Sequence, residues 1–125
     1  MSTTTPRPPH LFTALEQAVL EEICARETVL GAALETQLSA ATVISRKNTG
    51  AGFYTDFEVT RSVAPLATSK KVIGEVWAEI AGFESPMTFL IFVADGYASC
   101  LEGATVGDST TGVDLSAVTF TILPF

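Results

Sequence analysis

The apolar residues of this chain change their spacing once, near Leu38, and that change restricts the fold more than any motif does. Before it, Leu11, Leu15, Ala18, Val19 and Ile23 recur at three- and four-residue intervals, the spacing of an amphipathic helix. Glu16, Glu21 and Glu22 fall on the other, solvent side of that helix. Val29, Leu30, Ala33, Leu34 and Leu38 form a second set. The polar stretch from Ala25 to Thr28 between the sets predicts two helices, or one helix bent near Arg26, with Thr28 placed to cap the second piece. Beyond Leu38 the residues alternate with the period of a strand.

That alternation is sustained almost to the end. "ATVISRK", from Ala41 to Lys47, is rich in β-branched residues and runs into Asn48-Thr49-Gly50, a turn composition. The stretch "NTGAGFYTDFEV" that follows points Phe53, Thr55, Phe57 and Val59 one way and Tyr54, Asp56 and Glu58 the other. Val72 to Ile80 repeats the arrangement, with Glu75, Trp77 and Glu79 opposite Val76, Ala78 and Ile80. Met87 to Ala94 is apolar on both faces, which predicts a central strand covered on each side. Asp95-Gly96 is a two-residue hairpin signal, and "YASCLEGAT" returns from it. A loop, "VGDSTTGVD", leads to a last strand, "SAVTFTIL", stopped by Pro124.

Helices first and hairpin-linked strands afterwards, with no βαβ alternation, predict an α+β fold. Its N-terminal helical segment packs on a single, mostly antiparallel sheet of about six strands. Residues 1–9, rich in Thr and Pro, read as a flexible leader, and residues 10–125 as one domain.

Composition then removes several functions. Seven basic side chains against fourteen acidic ones give a net charge of −7. Only Arg46-Lys47 and Lys70-Lys71 bring two cations together, so no nucleic-acid partner is expected. The longest apolar run, Met87 to Ala94, is far short of the roughly 20 residues a membrane-spanning helix needs, so no membrane partner is expected either. Cys24 and Cys100 lie far apart in helical and strand patterns and read as small buried hydrophobes. The first ten residues hold no apolar signal region. Together these predict a reduced, cytoplasmic protein.

The chemistry-bearing residues are equally sparse. One histidine and two separated cysteines cannot assemble a zinc or iron cluster, and "DSTTGVD" lacks the closing glutamate of a calcium loop. No metal and no cofactor are expected. His10, the only base of its kind, belongs to the start of the first helix and has no nucleophile motif to serve. "TGAGF" precedes a strand, whereas phosphate cradles open a helix. Asp56 and Glu58, with Glu102 or Glu75 on a neighbouring strand, are the one carboxylate set suited to acid–base chemistry, although alternating acids more often form a solvated strand face. No catalytic residue is assigned. If their strands are neighbours, Tyr54 and Trp77 form an aromatic patch rimmed by Asp56, Glu58, Glu75 and Glu79, the composition of a protein interface; if the helices cover this face, Trp77 is core.

Two segments, "SRKNTGAGFYTDFEV" and "FLIFVADGYASCLEG", resemble a group of small uncharacterised bacterial proteins. The resemblance rests on Arg46, Thr49, Gly50, Gly52, Phe53, Asp95, Gly96, Leu101, Glu102 and Gly103, and covers roughly Gln37 to Thr105. It implies a small bacterial α+β domain and no catalytic activity. The chain departs from the pattern after Gly103, where "ATVGDSTTGVD" replaces an aromatic turn.

The expectation is a non-catalytic domain that acts through protein–protein contact or self-association, with Tyr54, Asp56, Glu58, Trp77 and Glu102 as candidate binding residues. The alternative is a small-molecule-binding protein or carboxylate-dependent enzyme with an apolar pocket between helices and sheet, and Glu102 or Asp56 as its polar group. A third is assembly through an exposed edge, with "TFTILPF" as the edge strand.

Overall fold

In the computed structural model, which describes residues 8–124, the first helix begins at a reciprocal cap. Thr13 Oγ1 accepts from the Glu16 amide at 3.2 Å, and Glu16 Oε1 accepts from the Thr13 amide at 2.8 Å. Helix α1 (Ala14–Arg26) therefore starts three residues later than the apolar spacing predicts. His10 and Leu11 lie outside it, and the His10 carbonyl accepts from the Val43 amide. Helix α2 (Gly31–Ser39) follows Leu30, which offers no side-chain cap, so Thr28 does not fill that role. Val29, expected on the apolar stripe, is 89% exposed because it sits in the turn between the helices.

Six strands follow: β1 (Ala41–Asn48), β2 (Gly52–Val59), β3 (Val72–Ile80), β4 (Met87–Ala94), β5 (Tyr97–Ala104) and β6 (Phe120–Ile122). They form one sheet in the order β1-β2-β5-β4-β3-β6, with every neighbouring pair antiparallel. Asp95 and Gly96 both take positive φ, 52° and 82°, as a tight hairpin between β4 and β5 requires. The last strand has three residues rather than the eight of "SAVTFTIL". Asp114 turns the chain back, accepting from the Ala117 amide on its carbonyl and from the Ser116 amide on its carboxylate, so the pattern is broken before it can pair.

After β2 the chain leaves its neighbour and rejoins the sheet as β3, three positions along, with β5 and β4 between. Gln37, fully buried on α2, holds this crossing in place. Its amide donates to the Ala64 and Gly96 carbonyls at 3.0 Å each and accepts from the Ala98 amide at 2.9 Å.

Both helices pack on one face of the sheet, where Leu15, Val19, Leu20, Ile23 and Leu34 meet Phe89, Ile91, Met87 and Leu101 in a single core. Helix α1 lies across the strands as a brace. Near its start Glu16 reaches Thr55 on β2, and at its end Arg26 donates to the carbonyls of Glu75 and Leu123 beside β3 and β6. A helix of 13 residues is about 20 Å long, and four strand spacings from β2 to β6 come to about 19 Å. The helix spans most of the sheet's width. Glu16, placed with the solvent-side acids by the helical spacing, is instead 2% exposed. Arg46 on β1 is the reason, donating through Nε and Nη2 to the two carboxylate oxygens at 3.0 and 2.9 Å.

Candidate binding face of the sheet

Along β2, β3, β4 and β5 the side chains that alternate with the buried ones emerge on the side away from the helices. The register sets them in rows. Tyr54 stands beside Glu102, which stands beside Leu90, and Asp56 stands beside Cys100, then Phe92, then Val72. A third row runs from Ala104 through Thr88 to Trp77. Glu58 and Glu79 extend the face at its ends, and Lys47 borders Tyr54 from β1.

The centre of this face is apolar and the rim is acidic. Leu90, Phe92, Trp77 and Cys100 are half-buried by their neighbours, while Tyr54 is 37% and Val72 43% exposed. Asp56, Glu58, Glu75 and Glu79 are exposed and Glu102 half-buried. Neutral groups hold several of these carboxylates. Ser45 donates to Asp56 at 3.2 Å and Thr88 to Glu75 at 3.1 Å, and the Tyr54 phenol donates to Glu102, which raises its pKa. The ion pairs among the described residues, Arg26–Glu22 and Arg46–Glu16, lie elsewhere. The face keeps its negative charge.

Strands β2 and β3 are not neighbours, so Tyr54 and Trp77 do not touch as a patch of two. Two strands, β5 and β4, lie between them and bring Cys100, Glu102, Leu90 and Phe92 into the middle of the face. The helices do not cover it, so Trp77 lies outside the helix–sheet core. Leu90 and Phe92 are the residues that sequence reasoning missed. Their signal is the two-sided apolar pattern of β4, which predicts cover on both faces, whereas the structure covers one.

Asp56 and Glu102 point away from the helices and so do not line the space between helices and sheet. A cleft of about 270 Å³ does open at the edge of that space, lined by Thr13, Glu16, Arg46, Phe53, Leu115 and Ser116 among others. Its Arg46 and Glu16 are already engaged with each other, and Arg46 also donates to the carbonyls of Pro9 and Leu11 at 2.7 Å each. Among the described residues no group of three or more His, Cys, Asp and Glu is placed to hold a metal ion.

No family model, curated protein or solved structure matches the chain. The chemistry of its own residues must therefore identify any site.

The "TGAGF" loop has a structural occupation. Asn48 donates to the Thr110 carbonyl at 2.8 Å, Thr110 Oγ1 donates back to Asn48 Oδ1 at 2.6 Å, and the Gly52 amide donates to Thr110 Oγ1 at 3.1 Å. Thr110 is fully buried by this network, which pins the hairpin between β1 and β2 to the loop before β6. The loop's amides are thus spent on the protein itself.

Both cysteines are free and half-buried rather than fully buried. Burial, then the nearby Glu35, Glu21 and Glu27, pushes the Cys24 thiol up to about 11. Burial and a hydrogen bond to Asp56 push Cys100 up to about 12. The thiolate is the reactive form, and its scarcity at pH 8 outweighs the greater nucleophilicity that a raised pKa brings, so both should react with a disulfide reagent at least about tenfold more slowly than a free cysteine of pKa about 8.5. Reaction rates in buffer and in denaturant check this, the denatured chain reacting at the ordinary rate. A fast thiol in buffer would contradict the placement.

Proposed function

We propose that the protein is a non-catalytic domain that works by protein–protein contact through the open face of its sheet. One observation carries this. Strand β4 is apolar on both sides, yet the helices cover only the side bearing Met87, Phe89, Ile91 and Val93 and leave Leu90 and Phe92 at the centre of the other. An apolar centre inside a polar rim is the anatomy of an interface, and completing the burial of two such side chains stabilises a complex by about 1 kcal/mol each. Tyr54, Asp56, Glu58, Trp77 and Glu102 belong to the same face and serve as its flanks.

The sheet edges are poorer candidates for assembly. Strand β6 offers three residues before Pro124, and β1 already gives its Val43 amide to His10. No helix among the described residues is long and apolar enough to cross a membrane. Two free cysteines suit a reducing compartment, and we take the protein to act in the cytoplasm.

Replacing Leu90 and Phe92 together by Ser tests the proposal. Because both are only half-buried, the double variant should lose on the order of 1 kcal/mol of stability, whereas Phe89→Ala in the core should lose about 3–5 kcal/mol. Affinity capture should then recover a stoichiometric partner with the wild type and lose it with the double variant. Recovery of the same partner by both would end the assignment of this face.

A further inference from the structure

We infer that the occupant of the open face is a partner protein presenting cationic side chains around an apolar centre, and not a second copy of this chain. The inference rests on the contact-face reading above and adds to it the chemistry of the partner. Among the described residues five carboxylates, those of Asp56, Glu58, Glu75, Glu79 and Glu102, stand on or around the face, against the ammonium of Lys47 and, at its Val72 end, that of Lys71. The arginines among the described residues are engaged, and the remaining lysines lie at one end of the face, Lys71 next to Val72. Arg26 and Arg46 donate to the protein's own carboxylates and carbonyls. Arg61 lies over the Tyr97 ring and donates to the Val59 carbonyl. Lys70 and Lys71 border the β4–β5 turn at one end of the sheet.

Two copies meeting face to face would therefore press carboxylates against carboxylates around Leu90 and Phe92, and juxtaposed like charges cost several kcal/mol. A cationic rim reverses the sign of that interaction. It also meets available acceptors, because an ionised carboxylate has about four lone-pair positions, and the bonds from Ser45, Thr88 and Tyr54 occupy only part of them. The apolar centre accounts for affinity and the carboxylates for the choice of partner. Lys and Arg also carry apolar stems that suit the exposed Val72 and the Tyr54 and Trp77 rings.

A short synthetic peptide alternating Lys with Leu and Phe, and a counterpart with Glu in place of Lys, are the probes. Amide chemical-shift mapping on the isotope-labelled protein, with light scattering for its mass, is the readout. The Lys peptide should shift Leu90, Phe92, Trp77 and Tyr54 and bind roughly tenfold more weakly when salt rises from about 50 mM to about 500 mM. The Glu peptide should not bind, and the Leu90→Ser/Phe92→Ser variant should bind neither. Equal binding of both peptides at the face would overturn the cationic partner while leaving the contact face standing. So would a wild-type dimer that becomes a monomer in the double variant. Shifts located elsewhere, or unchanged in the double variant, would overturn the contact face itself.

Discussion

Gly52→Ala is expected to lower the melting temperature by roughly 15 °C or to prevent folding. Gly52 opens β2 with φ at +137°, a region that side chains with a Cβ rarely enter. A Cβ there would stand 2.0 Å from the Gly103 carbonyl oxygen and 2.9 Å from the Ala104 Cα, both backbone atoms of the paired strand β5. Neither can move aside without breaking the β2–β5 ladder. Backbone strain and overpacking together come to on the order of 4 kcal/mol. The Gly52 amide would also be pulled from Thr110, whose hydroxyl links the hairpin to the loop before β6. Gly103→Ala is the informative comparison. Its Cβ would meet the edges of the Phe53 and Phe89 rings at 2.5 and 2.9 Å, and rings can shift where a ladder cannot. Circular dichroism melts of both variants check the order. A Gly52→Ala melt within about 3 °C of the wild type would contradict it.

Those two glycines also account for much of what made "TGAGF" and "LEG" conspicuous in the sequence. The register places Phe53 opposite Gly103 and Tyr54 opposite Glu102, so two distant segments form one packed junction. Strands β3 and β4 were legible residue for residue because their patterns end at clear turn signals. Strand order was not legible, since period-two alternation states which face a residue takes but not which strand lies beside it. For the same reason the gap between Tyr54 and Trp77 was invisible. The pattern of β4 is apolar on both sides. Sequence alone cannot say whether the second side is covered by the chain itself or by another molecule. The capping box Thr13–Glu16 was a visible signal that helical spacing overrode, and it marked where α1 begins. What no local pattern could supply was Arg46, thirty residues away, which turns Glu16 from a surface acid into a buried one.

Arg46→Ala is accordingly expected to cost about 3–5 kcal/mol at neutral pH, because it leaves a buried carboxylate without its counter-charge. The same guanidinium holds the Pro9 and Leu11 carbonyls, and so positions Phe12, whose ring meets Phe57 edge-on at 5.3 Å. Two causes of instability are therefore combined, and pH separates them. Burial alone raises the Glu16 pKa, but the hydrogen bonds from Arg46, Thr55 and the Thr13 amide outweigh it and hold the carboxyl below its ordinary value of 4.5. A folded-state pKa below the unfolded one stabilises the protein above the unfolded value, and that contribution is lost as pH falls through the folded one. Without Arg46, burial dominates and the carboxyl is protonated more readily in the folded state, which favours folding on the acid side. The stability difference between wild type and Arg46→Ala should thus shrink as pH drops from about 7 towards about 3.5, measured by urea unfolding at each pH. Glu16→Gln added to Arg46→Ala should recover part of the loss at pH 7 and little at low pH, since the amide needs no counter-charge. A difference that stays constant with pH, and that Glu16→Gln does not reduce, would mean that Arg46 acts only by fastening residues 9–11, and that the ion pair contributes no net stability.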